Sequence, residues 1–347
     1  MLCFFANISN LFWLLSILLS RCSSNCRVDT STMKTLRRTS FVVALVLLLS
    51  SCDSVDPVFY TFDATVNPPE AGTITPSNGA SFEENTTIQL TAQPANLWRF
   101  VRWDGDLTAN DNPATVTITK DLNITAIFEP IVPLEGLRAY FPFEGNVNDE
   151  SGNENHGVVV DASLTNDRFG QANSAYDFDG IDDLIMIPHS SSLDFGELNA
   201  SYSLSFWVKS TSPTQSRLIE KWDELVQTPY PFSLQIEPEV LNGVVYDGSQ
   251  VDILVVNNLW NGQWHHVVFA FDSATNTLLA YLDGDLVSTQ SITISRSTRN
   301  ASSVYIGGGL DADRYYHGQL DDLLLYGRVL TRDEVLELYQ RNGWDGG

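Results

Sequence analysis

From Asp63 to Pro130 the hydrophobic pattern has a period of two. Runs such as Thr87-Ile88-Gln89-Leu90-Thr91-Ala92 and Ala114-Thr115-Val116-Thr117-Ile118-Thr119 alternate, and Gly, Pro and Asn interrupt them. This is the pattern of short, half-buried strands joined by turns. Over Trp98–Gly105 the alternation predicts Trp98, Phe100 and Arg102 on one strand face, with Val101 and Trp103 on the other. These aromatics read as the filling of a small core in preference to a sugar-stacking platform. Ile131-Val132-Pro133-Leu134 reads as a linker stiffened by its proline. The longer remainder, residues 135–347, is again strand-rich. Ser203–Val208 alternates, whereas Trp264–Phe271 is apolar on both faces, as a central sandwich strand would be. A polar turn, Asp272–Asn276, then leads into Leu278–Leu282 and the turn Asp283-Gly284, which predicts a hairpin. Only Thr331–Gln340 reads as a helix. Thr331 is its cap, Glu334 stands three residues on, and Val335, Leu338 and Tyr339 form one face.

The front of the chain follows different rules. From Met33, the basic run Lys34–Arg38 precedes an apolar run, Phe41–Leu49, and then Ser50-Ser51-Cys52. Basic, apolar and small residues in that order predict a signal peptide over residues 33–51. The apolar run falls short of the ~20 residues that a membrane-spanning helix needs. The ending Leu49-Ser50-Ser51-Cys52 resembles a bacterial lipobox, which implies a lipid-modified Cys52 as the new N-terminus. Residues 1–32 put a second apolar stretch, Leu11–Leu19, ahead of this complete signal, and they are expected to lie upstream of the true start. Residues 52–62 then form a lipidated acidic tether.

Charge and cysteine usage narrow the function classes. The chain carries a net charge of −24, and loss of the first 51 residues, with five basic side chains and one acidic, takes it to −28. Such a surface repels nucleic acid and favours polar or cationic partners, divalent metals among them. All four cysteines lie at or before position 52, so a hydrophobic core or a bound metal must stabilise the exported part.

Two resemblances follow from these segments. Residues 63–130, with the aromatic strand Trp98–Gly105 and the closing Thr125-Ala126-Ile127-Phe128, resemble the bacterial surface repeats that include the B repeats of internalin-like proteins. That likeness implies a spacer. Within residues 135–347 four segments stand in order: Tyr140–Gly145 with Asp149–Gly157, Phe178–Asp183, Trp264–Val267 and Gly318–Tyr326. Together they resemble the laminin-G-like jelly roll of the concanavalin A-like lectin/glucanase superfamily. The resemblance implies an all-β protein, an antiparallel sandwich with a short C-terminal helix beside the last strand.

Because that superfamily contains glycoside hydrolases, paired carboxylates come first. A retaining glycosidase needs two of them ~5 Å apart. Glu220-Lys221-Trp222-Asp223-Glu224 does not supply such a pair, since Glu220 and Asp223 are expected on opposite faces of a strand. Gly-x-Ser-x-Gly is also absent, so a non-catalytic chain is expected. His265 and His266 are adjacent and point apart, and His156, His189 and His317 are scattered, which argues against zinc. Asp149-Glu150-Ser151-Gly152-Asn153-Glu154-Asn155 is rich in hard oxygen donors suited to Ca²⁺. By resemblance, a structural Ca²⁺ would lie between Asp149 and Asn155 on one side and Asp321 on the other, with Asp179 and Asp182 as a second candidate pair. A solvated Asx-rich turn is the plainer reading.

Glycan binding rests on aromatics near polar loops. Trp222, Tyr230, Tyr246, Tyr315 and Tyr316 would stack on sugar rings while Asp311 and Asp313 accept hydroxyl hydrogen bonds, though rings also seal the rims of cores. The expectation is thus a non-catalytic lipoprotein of the bacterial envelope that binds carbohydrate or a protein partner, with Ca²⁺. An accessory or unrecognised polysaccharide-degrading enzyme, or a purely structural envelope protein, are the alternatives. Asp53 after the cysteine resembles an inner-membrane retention signal of some bacteria, but the repeat favours the outer membrane or cell surface.

Overall fold

The computed structural model describes residues 56–211, 214–222, 229–309 and 314–344, so Cys52, Asp311 and Asp313 lie outside it. Seven strands occupy the repeat segment: β1 (Phe59–Asn67), β2 (Gly72–Thr75), β3 (Ala80–Glu83), β4 (Thr87–Pro94), β5 (Trp98–Gly105), β6 (Ala114–Thr117) and β7 (Leu122–Pro130). They form two small sheets, ordered β3-β1-β7-β5 and β2-β4-β6.

Trp103 is fully buried, as expected of a core residue, and its indole N–H donates to the Asp111 carbonyl at 3.0 Å. The predicted alternation along β5 fails at one point. A bulge between Phe100 and Arg102 resets the register so that Phe100 lies opposite Phe128 and Trp103 opposite Ala126. The extra residue puts both rings on one face, with centroids 5.2 Å apart, where period two had separated them.

By compactness the described chain falls into two units. In the smaller (of the described residues, 56–61 with Ser81–Thr87 and Thr117–Asp121) the Asp121 carboxylate accepts from the Thr61 amide and hydroxyl at 2.8 and 2.9 Å. The remainder is the second unit, and it contains the whole sandwich.

The first sandwich sheet runs β10 (Ser163–Thr165), β11 (Ala175–Asp179), β22 (His317–Tyr326), β13 (Tyr202–Lys209), β18 (His265–Asp272), β19 (Thr277–Leu282), β20 (Asp285–Ser291). β8 (Leu137–Phe141) also pairs with β22. The second sheet runs β17 (Val251–Asn257), β16 (Val240–Tyr246), β15 (Tyr230–Glu237), β14 (Ser216–Glu220), β21 (Val304–Ile306), β12 (Leu184–Ile187), β9 (Val158–Val160). All described pairings in both sheets are antiparallel, the jelly-roll sandwich that the resemblance implied.

Between the sheets lies one core in which Leu204, Phe206, Val267, Phe269 and Leu325 meet Leu218, Phe232, Leu234, Leu254 and Ile306. Each such side chain contributes about 1.5–3 kcal/mol by leaving water. The first sheet also buries its outer face, where Tyr140, Val268, Leu324 and Tyr326 pack with Val335 and Leu338 of helix α1 (Arg332–Tyr339). That explains why β18 is apolar on both sides. Thr331 caps α1 in a full capping box with Glu334, as the spacing requires. Val132, inside the expected linker, is fully buried in this outer cluster, so the segment packs as part of the fold. The β19–β20 turn places Asp283 and Gly284 at φ 53° and 87°, the left-handed pair that a two-residue hairpin turn demands.

Candidate functional site

Three groups of polar residues stand out, and the expected ligands divide among them. The first is the turn between β11 and β12. Gly180, at φ 79°, lets the chain reverse, and the Asp179 carboxylate accepts the Ile181 amide at 2.7 Å. The Asp183 carboxylate accepts the Asp179 amide at 2.8 Å. Asp179, Asp182 and Asp183 each bring one oxygen to within 4.8 Å of the others, and Asp183 alone is buried. Burial raises the Asp183 carboxyl above its ordinary value, and the charges of Asp179, Asp182 and Asp161 add to this while the Asp179 N–H opposes it. Three converging carboxylates suit a hard cation such as Ca²⁺. Asp179 and Asp182 were expected from sequence. Asp183 was not singled out, because its burial depends on the strand pairing. Tyr315 also belongs here, since a methyl group at Gly308 would meet its ring at 2.6 Å and the Asp183 carbonyl at 3.6 Å.

The loop at Asp149 is different. Asp149 accepts the amides of Tyr140 and Ser151 on one oxygen, and the amide and side-chain N–H of Asn155 on the other, all at 2.9 Å. The Asn155 side-chain Oδ1 accepts the hydroxyls of Ser190 and Ser192. Asp321 accepts Arg168 and the Asp322 amide, each at 2.7 Å. The expected set Asp149, Asn155 and Asp321 therefore forms no open oxygen cage. Its oxygens are already satisfied by N–H and O–H donors, which makes the Asp149 loop a closed Asx turn.

Asp321 instead belongs to a buried ionic network on the first sheet. Arg168 reaches Asp321 at 2.7 Å and Asp322 at 2.9 Å, Arg341 reaches Asp322 at 3.1 Å, and the Tyr140 hydroxyl donates to Asp322 at 3.0 Å. Burial, then the neighbouring Asp322 charge, pushes the Asp321 carboxyl well up. Burial also acts on Asp322, but Arg341 and Arg168 outweigh it and hold that carboxyl below its ordinary value. Arg168 lies 4.4 Å over the Trp207 ring, which also contacts Tyr339 and Trp344 at 5.8 and 5.2 Å. His265 and His266 point apart as expected. The His265 Nδ1 is hydrogen-bonded to the Asp283 carboxylate at 2.8 Å, and buried His266 bonds Ser205 at 2.8 Å.

The third group lies on the outer face of the second sheet. Trp222, Tyr230 and Tyr246 stand in a line, with ring centroids 4.9 and 5.6 Å apart. Tyr230 pairs directly with Tyr246 across β15 and β16. Arg217 covers Trp222 at 5.3 Å, and its Nε lies 3.6 Å from Glu220, whose carboxylate also accepts the Ser233 hydroxyl at 3.1 Å. Glu220 therefore faces outward with an arginine and a serine, while Asp223 and Glu224 lie outside the described residues. Behind the strip, burial lowers the Lys221 ammonium to about 8, and its Nζ donates to the Ser302 carbonyl. Tyr316 points elsewhere. It is wholly buried and donates to the Lys209 carbonyl at 2.9 Å, so it is core, and Tyr230 too is buried, at 7% exposure.

Comparison with known proteins agrees with this architecture. Residues 179–336 match the model of the concanavalin A-like lectin/glucanases superfamily, and residues 62–132 match that of the divergent InlB B-repeat domain. Pentraxin-related protein PTX3 of Mus musculus is 22% identical over 179 residues, which is 45% of this chain and 45% of that protein. The binding domain of Paraclostridial Mosquitocidal Protein 1 superposes with a TM-score of 0.51 at 16% identity, over 59% of this chain and 52% of that one. For the binding domain of Botulinum neurotoxin serotype D the TM-score is 0.51 at 14% identity, over 60% and 51%. The chain thus spans about half the length of these relatives, and at such identity the likeness shows the fold. The sandwich is a laminin-G-like member of the concanavalin A-like lectin/glucanase superfamily, and the segment before it is a divergent InlB B-repeat domain.

Proposed function

We propose that this chain is a non-catalytic lipoprotein of the bacterial envelope, anchored through Cys52 at the outer membrane or cell surface, whose sandwich binds carbohydrate or a protein partner with the help of Ca²⁺. The observation that carries the reading is the acidic turn, where Asp179, Asp182 and Asp183 converge within 4.8 Å at a loop end of the sandwich. Those three side chains would hold the ion, which supplies a fixed positive charge whose remaining positions accept oxygens of a ligand. Tyr315 beside them offers a ring edge to the same ligand. The solved neighbours are described as binding domains, which supports a binding role.

The test is a glycan array on the purified full chain with Ca²⁺ and with chelator, joined to thermal unfolding in both conditions. Ca²⁺ is expected to raise the melting temperature by several degrees, and Asp183→Asn to abolish that rise. An unchanged melting temperature removes the ion, and release of product from a polysaccharide overturns the non-catalytic reading. Mass spectrometry of the native product is expected to find a diacylglyceryl-modified Cys52 as first residue, and a peptide from residues 1–32 would refute that start.

A further inference from the structure

The strands that end the two sandwich sheets are β10 and β20 in the first and β17 and β9 in the second. Three of these ends are blunted. β9 and β10 are three residues long, and β20 carries a bulge at Val287 followed by the polar run Ser288–Ser291. Short strands and bulges keep the free N–H and C=O groups of a sheet edge from accepting another strand. β17 has none of these devices. It is seven residues long, contains no Lys or Pro, and pairs with β16 in unbroken register from Val251 to Asn257. Among the described residues no backbone hydrogen bond joins it to any element but β16.

The outward side chains of β17 are apolar as well. Val251, Ile253 and Val255 are 51%, 46% and 40% exposed, and Tyr246, Val244 and Asn242 of β16 stand opposite them. An outer strand face ordinarily carries polar residues. Leu254 and Val256 alternate inward to the core, and so does Asp252, the one charged side chain of the strand. The Asp252 carboxylate is buried and accepts the Thr293 and Ile294 amides at 2.8 and 3.2 Å. A long, flat, apolar edge without a guarding charge is a template for one more strand.

We propose that β17 is the edge through which two copies of this chain pair, antiparallel, about a two-fold axis at Leu254. The strand is complementary to itself in that register. Ile253 of one copy faces Val255 of the other, Val251 faces Asn257, and all of them stay on the outer face, where β-branched cross-strand pairs stabilise a sheet. Asp252 faces Val256, so no carboxylate meets another across the axis. That condition is decisive for a chain of net charge −24, whose copies repel wherever their acids confront each other. A foreign strand with basic side chains would find no acid in the exposed row to meet. The two-fold presents one patch from both sides, closes after two copies and joins two seven-stranded sheets into one. The proposal is independent of the ion, of carbohydrate and of the lipid.

The experiment is sedimentation equilibrium of the full chain in density-matched detergent, joined to hydrogen exchange at Val251–Asn257 over a dilution series. Wild type is expected to be a dimer that dissociates on dilution, in Ca²⁺ and in chelator alike. Exchange of the β17 amides that point away from β16 should be slower at least about tenfold in the dimer than in the diluted monomer. Ile253→Lys and Val255→Lys each put an ammonium group into the exposed row and should weaken the dimer at least about tenfold, with the melting temperature of the diluted chain unchanged. Ile253→Val should keep the dimer, and so should Leu336→Lys, which charges an exposed leucine of α1 instead. The exchange measurement needs no variant, so it answers even if a lysine variant fails to fold. A monomeric wild type overturns the proposal. So does a dimer that survives both β17 lysine variants, an assembly that grows beyond two copies, or β17 exchange that ignores dilution. Loss of the dimer in Leu336→Lys with both β17 variants intact overturns it in favour of the α1 face.

Discussion

The two outer faces of the sandwich have opposite fates. On the first sheet the outer face is filled: Trp207 lies under Arg168, Tyr339 and Trp344, and helix α1 covers Val268 and Leu324. On the second sheet the outer face carries buried Glu220 and Ser233 beside a line of three rings. The same antiparallel strands underlie both. The difference is made by what the chain does after β22, where the capped helix spends its apolar face on one sheet only. One outer face is thereby closed by a helix and the other by its own polar and aromatic side chains.

Truncating a tryptophan on each face is the strongest way to break this comparison. Trp207→Ala is expected to destabilise the fold by about 3–5 kcal/mol, because it empties a buried site and removes the ring under Arg168. A midpoint in urea unchanged from wild type would refute the structural role of that face. Next comes a pH effect on the filled face. Burial, reinforced by the Arg168 charge, lowers His266 from 6.5 to about 3. Between those values the unfolded chain takes up a proton that the folded chain refuses, so stability falls as pH is lowered through that window, by up to about 1.4 kcal/mol per pH unit. His266→Gln should show a shallower loss between about pH 7 and about pH 5, and equal slopes for the two proteins would sink the assignment. The smallest effect is expected from Trp222→Ala, about 1 kcal/mol or less, since the ring is only half-buried. A cost matching that of Trp207→Ala would make both faces structural.

The strands, the capped helix and the doubly buried β18 were legible because period two, the Thr331/Glu334 spacing and an unbroken apolar run each have a local cause. The aromatic strip was half legible. Trp222, Tyr230 and Tyr246 are visible as rings near polar segments, but only the pairing of β15 with β16 lines them up. Arg217 and Glu220 were hidden, since strict alternation puts residues three apart on opposite faces and the bulge on β14 cancels it. The bulge on β5 misled the reading of Phe100 and Trp103 in the same way. The Asp149 loop looked like a cation cage because sequence counts oxygens and does not show the N–H groups already bound to them. Arg168 and Asp321 are 153 residues apart, and nothing local announces that pair.

Strand β22 has a further consequence, for the order of events in folding. It lies between β11 and β13 and also holds β8, so the first sheet is joined through the last of its strands in chain order, which begins at His317. Until that segment is available, β8 and β11 have no partner on their inner side. Loop closures of this length precede any reward from contact. A nascent sandwich therefore stays open until β22 has been made, and a chain cut short before Tyr326 keeps most of its strands but loses the one that binds them into a sheet.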